Sequence, residues 1–177
     1  MGITSSIPVD TIPDPSPLPG SKEKHDELRK ALDGRLHTFH HDQETYNKIR
    51  ANSNGTKTWN IDGMGKPIAI AVCQSAEDVS AAVAFCREHC QPNSIRVCVV
   101  GGRYSHQCMV NNLFVVDLSG LKGITINKDK KYADIMGGSL QDNLDTATEP
   151  YHLAMTAGHI SSTGYGEYTH MKQCPSI

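Results

Sequence analysis

Residues 66–100, "KPIAIAVCQSAEDVSAAVAFCREHCQPNSIRVCVV", constrain the fold more than any other part of the chain. The apolar run "PIAIAVC", with proline at its entrance, reads as a buried strand, and the spacing then turns helical. Ser75 and Asp78 form a near capping box, and Val79, Ala82, Val83 and Cys86 fall on one helical stripe while Glu77, Arg87 and Glu88 lie elsewhere. "SIRVCVV" supplies a second strand. Together they make a strand–helix–strand unit with the helix packed on the sheet.

The chain leaves this unit through "GGRYSHQCMV", residues 101–110. Three short β-rich runs follow, "LFVVDLSGL", "GITIN" and "YADIMGG", and antiparallel pairing among them is expected. "SLQDNLDTATEP" reads as a helix with Leu140 and Leu144 on one face, ended by Pro150. "HLAMTAGHISSTGYG" reads as an apolar strand and a second loop rich in glycine and hydroxyls. The fold class is α+β. Residues 1–20 form a proline-rich arm without apolar periodicity, and residues 21–66 a helical lead-in whose first helix is capped by Ser21, with Leu28, Ala31 and Leu32 at helical spacing. The main domain is expected over residues 67–166, and residues 167–177 form a divergent tail.

Composition narrows the classes of function. Net charge is −2, from 17 basic and 19 acidic residues, so no global field recruits nucleic acid or an anionic membrane. Residues 1–20 lack a signal-peptide pattern, which implies a cytoplasmic chain. The opening "MGITSS" fits the loose myristoylation pattern, although one acyl chain gives only marginal membrane binding. The six cysteines include no C-x-x-C pair, so reduced, packed thiols and no metal are expected, despite Cys86, His89 and Cys90 sharing one helical stretch. His40 and His41 read as a solvated pair, and the "NGT" at Asn54 would be a glycosylation site only in a secreted chain.

Two loops share one chemistry. Gly101 and Gly102 remove the Cβ atoms that would hold a ligand off the backbone, while Arg103 and Ser105 offer donors. Gly158, Ser161, Ser162, Thr163, Gly164 and Gly166 repeat the pattern. Backbone N–H groups and hydroxyls replace the water shell of a pyrophosphate without net positive charge. Neither loop matches G-x-G-x-x-G or the Walker pattern, which disfavours other nucleotide-binding enzymes.

Four blocks in order, "PIAIAVCQSAEDVSAAVAFC", "VVGGRYSHQCMV" with "FVVDLSGLKGI", "ADIMGGSLQDNLD" and "AGHISSTGYG", resemble the FAD-binding domain of the vanillyl-alcohol-oxidase superfamily, which includes berberine bridge enzymes and 6-hydroxynicotine oxidase. The resemblance implies a partial FAD-binding domain of this PCMH type and FAD as cofactor. In relatives the first loop wraps the pyrophosphate and the second continues along the cofactor. Carried over, Gly101, Gly102, Arg103, Tyr104, Ser105, His106, Gly137, Gly138, Gly158, Ser162, Thr163 and Gly164 become the candidate FAD-binding residues.

Two departures qualify the resemblance. Many relatives carry in the first loop a histidine covalently attached to the flavin; a gap-free match puts Tyr104 there, a match shifted to the G-G-H-S form puts Arg103 there instead, and His106 lies out of register in both. Any FAD is therefore expected to be held non-covalently. After "STGYG" relatives continue with a glycine-rich strand, whereas here "EYTHMKQCPSI" looks like unrelated sequence from a changed reading frame, a retained intron or a truncation. The expectation is a truncated FAD-dependent oxidoreductase of secondary-metabolism type, oxidising a small-molecule alcohol or amine in its intact form. No catalytic residue is assigned. The alternative is a non-catalytic FAD-binding remnant that self-associates through an unpaired sheet edge.

Overall fold

Strand β6, Leu113–Asp117, is buried at every position and runs through the middle of a four-stranded sheet. The computed structural model describes residues 12–127, 129, 132–156 and 158–166. Ahead of β6 come α1 (Lys22–Ala31), β1 (Leu36–His37), α2 (Gln43–Ala51), β2 (Asn52–Ser53), β3 (Thr56–Lys57), β4 (Ala69–Val72), α3 (Ala76–Phe85) and β5 (Arg96–Val100). After it come β7 (Ile124–Asn127), β8 (Tyr132–Ile135) and α4 (Gln141–Thr148).

The sheet order is β1-β4-β6-β5. Phe114 of β6 lies opposite Ala69 of β4 and Val97 of β5, both in parallel register. The antiparallel pairing expected among the three later runs is thus confined to β7 and β8. "LFVVD" is apolar through four successive positions rather than alternating, so both its faces need cover and it takes a central, parallel slot. Parallel neighbours cannot be joined by a tight turn. Residues 101–112 therefore cross from the end of β5 back to the start of β6, which makes the glycine loop a crossover and not a hairpin.

Each face of the sheet has its own layer. On one, Leu28 and Leu32 of the α1 region and Ala82 and Phe85 of α3 cover Phe114 and Val116. On the other, Tyr46 of α2 and Met109 of the crossover cover Ile70 and Val115. Side-chain oxygens of Ser21, Asp42 and Ser75 accept the capping N–H bonds of α1, α2 and α3. The Tyr46 hydroxyl donates to Pro67 O at 2.8 Å, and burial pushes its pKa up. Val83, expected on the buried stripe, is 50% exposed. Ala82 and Phe85 meet the sheet instead, and a π-helical turn at Cys86–Cys90 then keeps both its terminal cysteines buried.

The arm is ordered by contacts along residues 12–20. Lys66 Nζ donates to Ile12 O and to Asp14 Oδ1, each at 2.8 Å, His40 Nε2 lies 2.8 Å from Pro15 O, and Leu18 is buried. The "MGITSS" opening and the tail 167–177 lie outside the described residues. The strand expected in "HLAMTAG" does not form: Pro150 sits in a 3₁₀ turn, His152 adopts φ 52°, and the following described residues join no ladder. A left-handed turn after the proline redirects the chain before it can extend beside a neighbour. Among the described residues no helix is long and apolar enough to cross a membrane.

Arg35 ties the β1 end of the sheet to α3. Its Nη2 donates to Asp78 Oδ2 at 2.6 Å, and Gln74 N donates to the same oxygen at 2.8 Å. Burial alone would raise the Asp78 pKa; the Gln74 and Arg35 bonds hold it below the usual value. A depressed folded pKa adds stability that is complete above about pH 4 and is lost as pH falls through the depressed value. Asp78→Asn should cost about 2 kcal/mol in urea unfolding at pH 7. The difference from the unmodified chain should shrink as the pH falls below about 4.

Candidate functional site

The parallel strands β4, β6 and β5 end at one edge of the sheet, and the segments that follow them gather there. Open parallel sheets bind ligands outside this carboxyl edge. Arg103, three residues beyond β5, has φ 58° and no exposed surface. Its guanidinium pairs with the equally buried carboxylate of Asp117 at the end of β6, and Nη1 donates to Ile49 O at 2.7 Å. Asp117 also accepts from Ser119 N at 3.0 Å and Ser119 Oγ at 3.1 Å. Ser119 Oγ reaches Ser53 Oγ of β2 at 3.0 Å.

This corrects the expectation that the Arg103 side chain offers donors to a ligand. A carboxylate buried at the end of a central strand needs a charged partner, and Arg103 turns inward to supply it. Gly102 and Arg103 are both buried, and the exposed part of the loop is residues 104–107. The N–H groups of Gly102, Arg103, Ser105 and His106 donate to no acceptor among the described residues. Tyr104, Ser105 and His106 are exposed, and His106 Nε2 lies 3.4 Å from the Gln107 amide nitrogen.

Residues 58–66 brace the crossover from the other side. Trp59 N donates to Arg103 O at 3.2 Å, Gly65 N to Met109 O at 2.6 Å, and Lys66 N to Asn111 Oδ1 at 2.7 Å. Arg50 Nη1 holds Gly65 O at 2.7 Å. A Cβ on Gly63 would come within 2.9 Å of His106 O, so this approach requires glycine.

The other candidate glycines close in on the same edge. A Cβ on Gly138 would collide with Leu118 O, and one on Gly101 with Gly137 O. Gly101 thus serves close packing of two backbones, where the sequence suggested room for a ligand. A Cβ on Gly166 would lie 3.4 Å from the same Gly137 O, so all three loops converge on that carbonyl. Ser139, next in the turn, is fully buried, and its hydroxyl has no partner among the described residues.

The second loop reaches the edge through α4. Thr163 O accepts from Gln141 N at 3.0 Å, Ser161 O from Asp142 N at 2.9 Å, and Tyr165 N donates to Ser139 O at 2.8 Å. Gln141 Nε2 donates to Gly158 O at 2.7 Å. The first N–H groups of α4 are therefore satisfied by the chain itself. Ser162 and Thr163 are half-buried, Gly164 is buried and Gly158 is exposed. No group of three His, Cys, Asp or Glu that could hold a metal occurs among the described residues. His89 packs on Phe85 with ring centroids 4.7 Å apart. Cys86 and Cys90 are free thiols; hydrogen bonding between them, with burial, pushes the pKa of Cys86 up, and the same hydrogen bonding brings that of Cys90 down.

Sequence reasoning missed Asp117 and the 58–66 brace. The signal for the first was an aspartate closing the apolar run "LFVV"; for the second, the chain's single tryptophan in a polar stretch carried only a weak one.

The chain belongs to the FAD binding domain family, which it matches over residues 67–167. It is 35% identical over 135 residues to YgaK, an FAD-linked oxidoreductase of Bacillus subtilis (strain 168), covering 75% of this chain and 27% of that protein. It is 31% identical over 116 residues to an FAD-linked oxidoreductase of Dictyostelium discoideum, covering 66% of this chain and 25% of the relative. The chain thus spans about a quarter of the length of these curated relatives. The solved structure of 6-hydroxy-D-nicotine oxidase from Arthrobacter nicotinovorans superposes with a TM-score of 0.61 at 23% identity, over 73% of this chain and 26% of that one. This likeness bears out the α+β FAD-binding fold.

Asp117→Asn leaves the Arg103 cation buried without its counter-ion, and should cost about 3–5 kcal/mol in chemical denaturation. Pairing Arg103→Met with Asp117→Leu should recover a substantial part of that loss. A double variant as unstable as Asp117→Asn would show that the pair is not the source of the cost.

Proposed function

We propose that the chain binds FAD non-covalently, with the pyrophosphate on the N–H groups of Gly102, Ser105 and His106. We further propose that the whole protein is an oxidoreductase acting on a small-molecule substrate carbon that bears an alcohol or an amine. The observation that carries this reading is that the N–H groups of Gly102, Ser105 and His106, at the carboxyl edge of the sheet, donate to no acceptor among the described residues. Such a row fits a diphosphate because oriented amide dipoles replace its hydration without a mobile cation. The unpartnered Ser139 hydroxyl, where the three loops meet, is a further donor that fits the same group.

FAD supplies the two-electron acceptor, and this chain's residues supply binding and orientation. Gly102, Ser105 and His106 hold the anion, while Arg103 positions the loop from inside without touching the ligand. Gly137 and Gly138 let the second turn approach the first, and Gly158, Ser162, Thr163 and Gly164 continue the seat along α4. Gly101 contributes close packing of the loop. Tyr104 occupies the place of the tethering histidine, and a phenol cannot make the imidazole bond.

Acid precipitation of the FAD-loaded chain should release all the yellow colour to the supernatant; colour retained in the pellet would contradict a non-covalent site. Ser105→Asp places a carboxylate at an exposed position beside the anion, and should weaken FAD binding by at least about tenfold. Unchanged affinity would remove residues 101–106 from the site.

A further inference from the structure

Trp59 is the chain's single tryptophan, and the fold sets it against the loop assigned to the cofactor. Its N–H donates to Arg103 O at 3.2 Å, and its ring centroid lies 6.5 Å from that of Tyr104, with the planes tilted by 45°. Both residues keep more than two-fifths of their surface in solvent, at 44% and 43%. Lys57 Nζ lies 5.6 Å from the indole centroid. With Asn60, Ile61 and Asp62, the two rings line a cleft of about 460 Å³.

We infer that Trp59 and Tyr104 form an aromatic seat for the isoalloxazine ring of FAD. This rests on the reading that residues 101–106 hold the pyrophosphate. The brace is anchored at Trp59 N, Gly63, Gly65 and Lys66, so the indole is not needed to hold it. An aromatic pair left exposed beside an anion loop wastes apolar area unless a flat ligand covers it. A tricyclic ring is long enough to lie on one aromatic face and present its edge to the other, whereas a purine covers only one. The Lys57 ammonium adds positive charge beside the seat, suited to the carbonyl-bearing end of an electron-poor ring. Tyr104, at the position where a covalent tether would stand, thereby acquires a packing role.

The single tryptophan makes the seat directly readable by fluorescence. FAD and FMN titrated into the chain should each quench the Trp59 emission at least twofold, whereas ADP should bind without quenching. Trp59→Phe and Tyr104→Ala, checked for folding by circular dichroism, should each weaken FAD and FMN about three- to tenfold and leave ADP affinity unchanged. Equilibrium dialysis separates the possible failures. FAD that binds without changing the emission, or variants that bind FAD normally, would overturn the seat and leave the pyrophosphate loop standing. ADP that quenches as strongly as FAD, with affinity lost in Trp59→Phe, would place adenine there and also overturn the inference. FAD that does not bind at all would overturn both readings.

Discussion

The buried ion pair between Arg103 and Asp117 is the interaction on which the site depends. It joins the first turn of the crossover to the end of the central strand, and through Ile49 O and Ser119 it also grips α2 and β2. Two charges without exposed surface are costly to desolvate, so the pair adds little net stability over an apolar replacement. What it fixes is geometry. An arginine with φ 58° sits in a backbone region that side chains disfavour, and the inward pull of the carboxylate holds it there. With the side chain anchored in the core, residues 104–107 are left exposed at the edge of the sheet. The residue whose type suggests a ligand contact is instead the loop's internal anchor.

The loop is held at several points besides its hinge. The 58–66 brace bonds to it at Arg103, Met109 and Asn111, and the Gly137 carbonyl closes against Gly101. A loop fixed from the core, from the brace and from the second turn has few conformations to lose when an anion arrives. On the proposed reading, oriented dipoles would then act without reorganisation, and a chain of nearly balanced charge would need no cluster of cations to hold a pyrophosphate. The second loop is organised differently. It satisfies the first N–H groups of α4, so the helix end orders the loop and is not itself an anion site.

Much of this was legible in the sequence where local chemistry decides. The β4–α3–β5 unit, the Ser75 cap and the placing of glycines after β5 follow from apolar period and turn chemistry, and the structure contains them. The parallel slot of β6 was missed because pairing direction depends on what covers each face, although the unbroken "LFVV" held the clue. α2 escaped because its helical stripe is short, with Tyr46 and Arg50 as its buried members. The failed strand at residues 153–156 shows the reverse error, in which apolar residues suggested a ladder that a turn at His152 prevents. Within the site, the inward turn of Arg103 was invisible because its partner lies fourteen residues away on another element. The FAD-linked family was readable because four blocks, three of them marked by glycine, keep their order, and its match spans residues 67–167.

The central claim is that a backbone held by the Arg103–Asp117 pair presents its N–H groups to the FAD pyrophosphate. Hydrogen–deuterium exchange of the chain with and without FAD measures those amides directly. The account predicts fast exchange at Gly102, Ser105 and His106 in the free chain and marked protection on binding FAD, with a smaller effect around residues 137–139. Protection confined to other parts of the chain, with residues 102–106 exchanging at the same rate in both states, would contradict it.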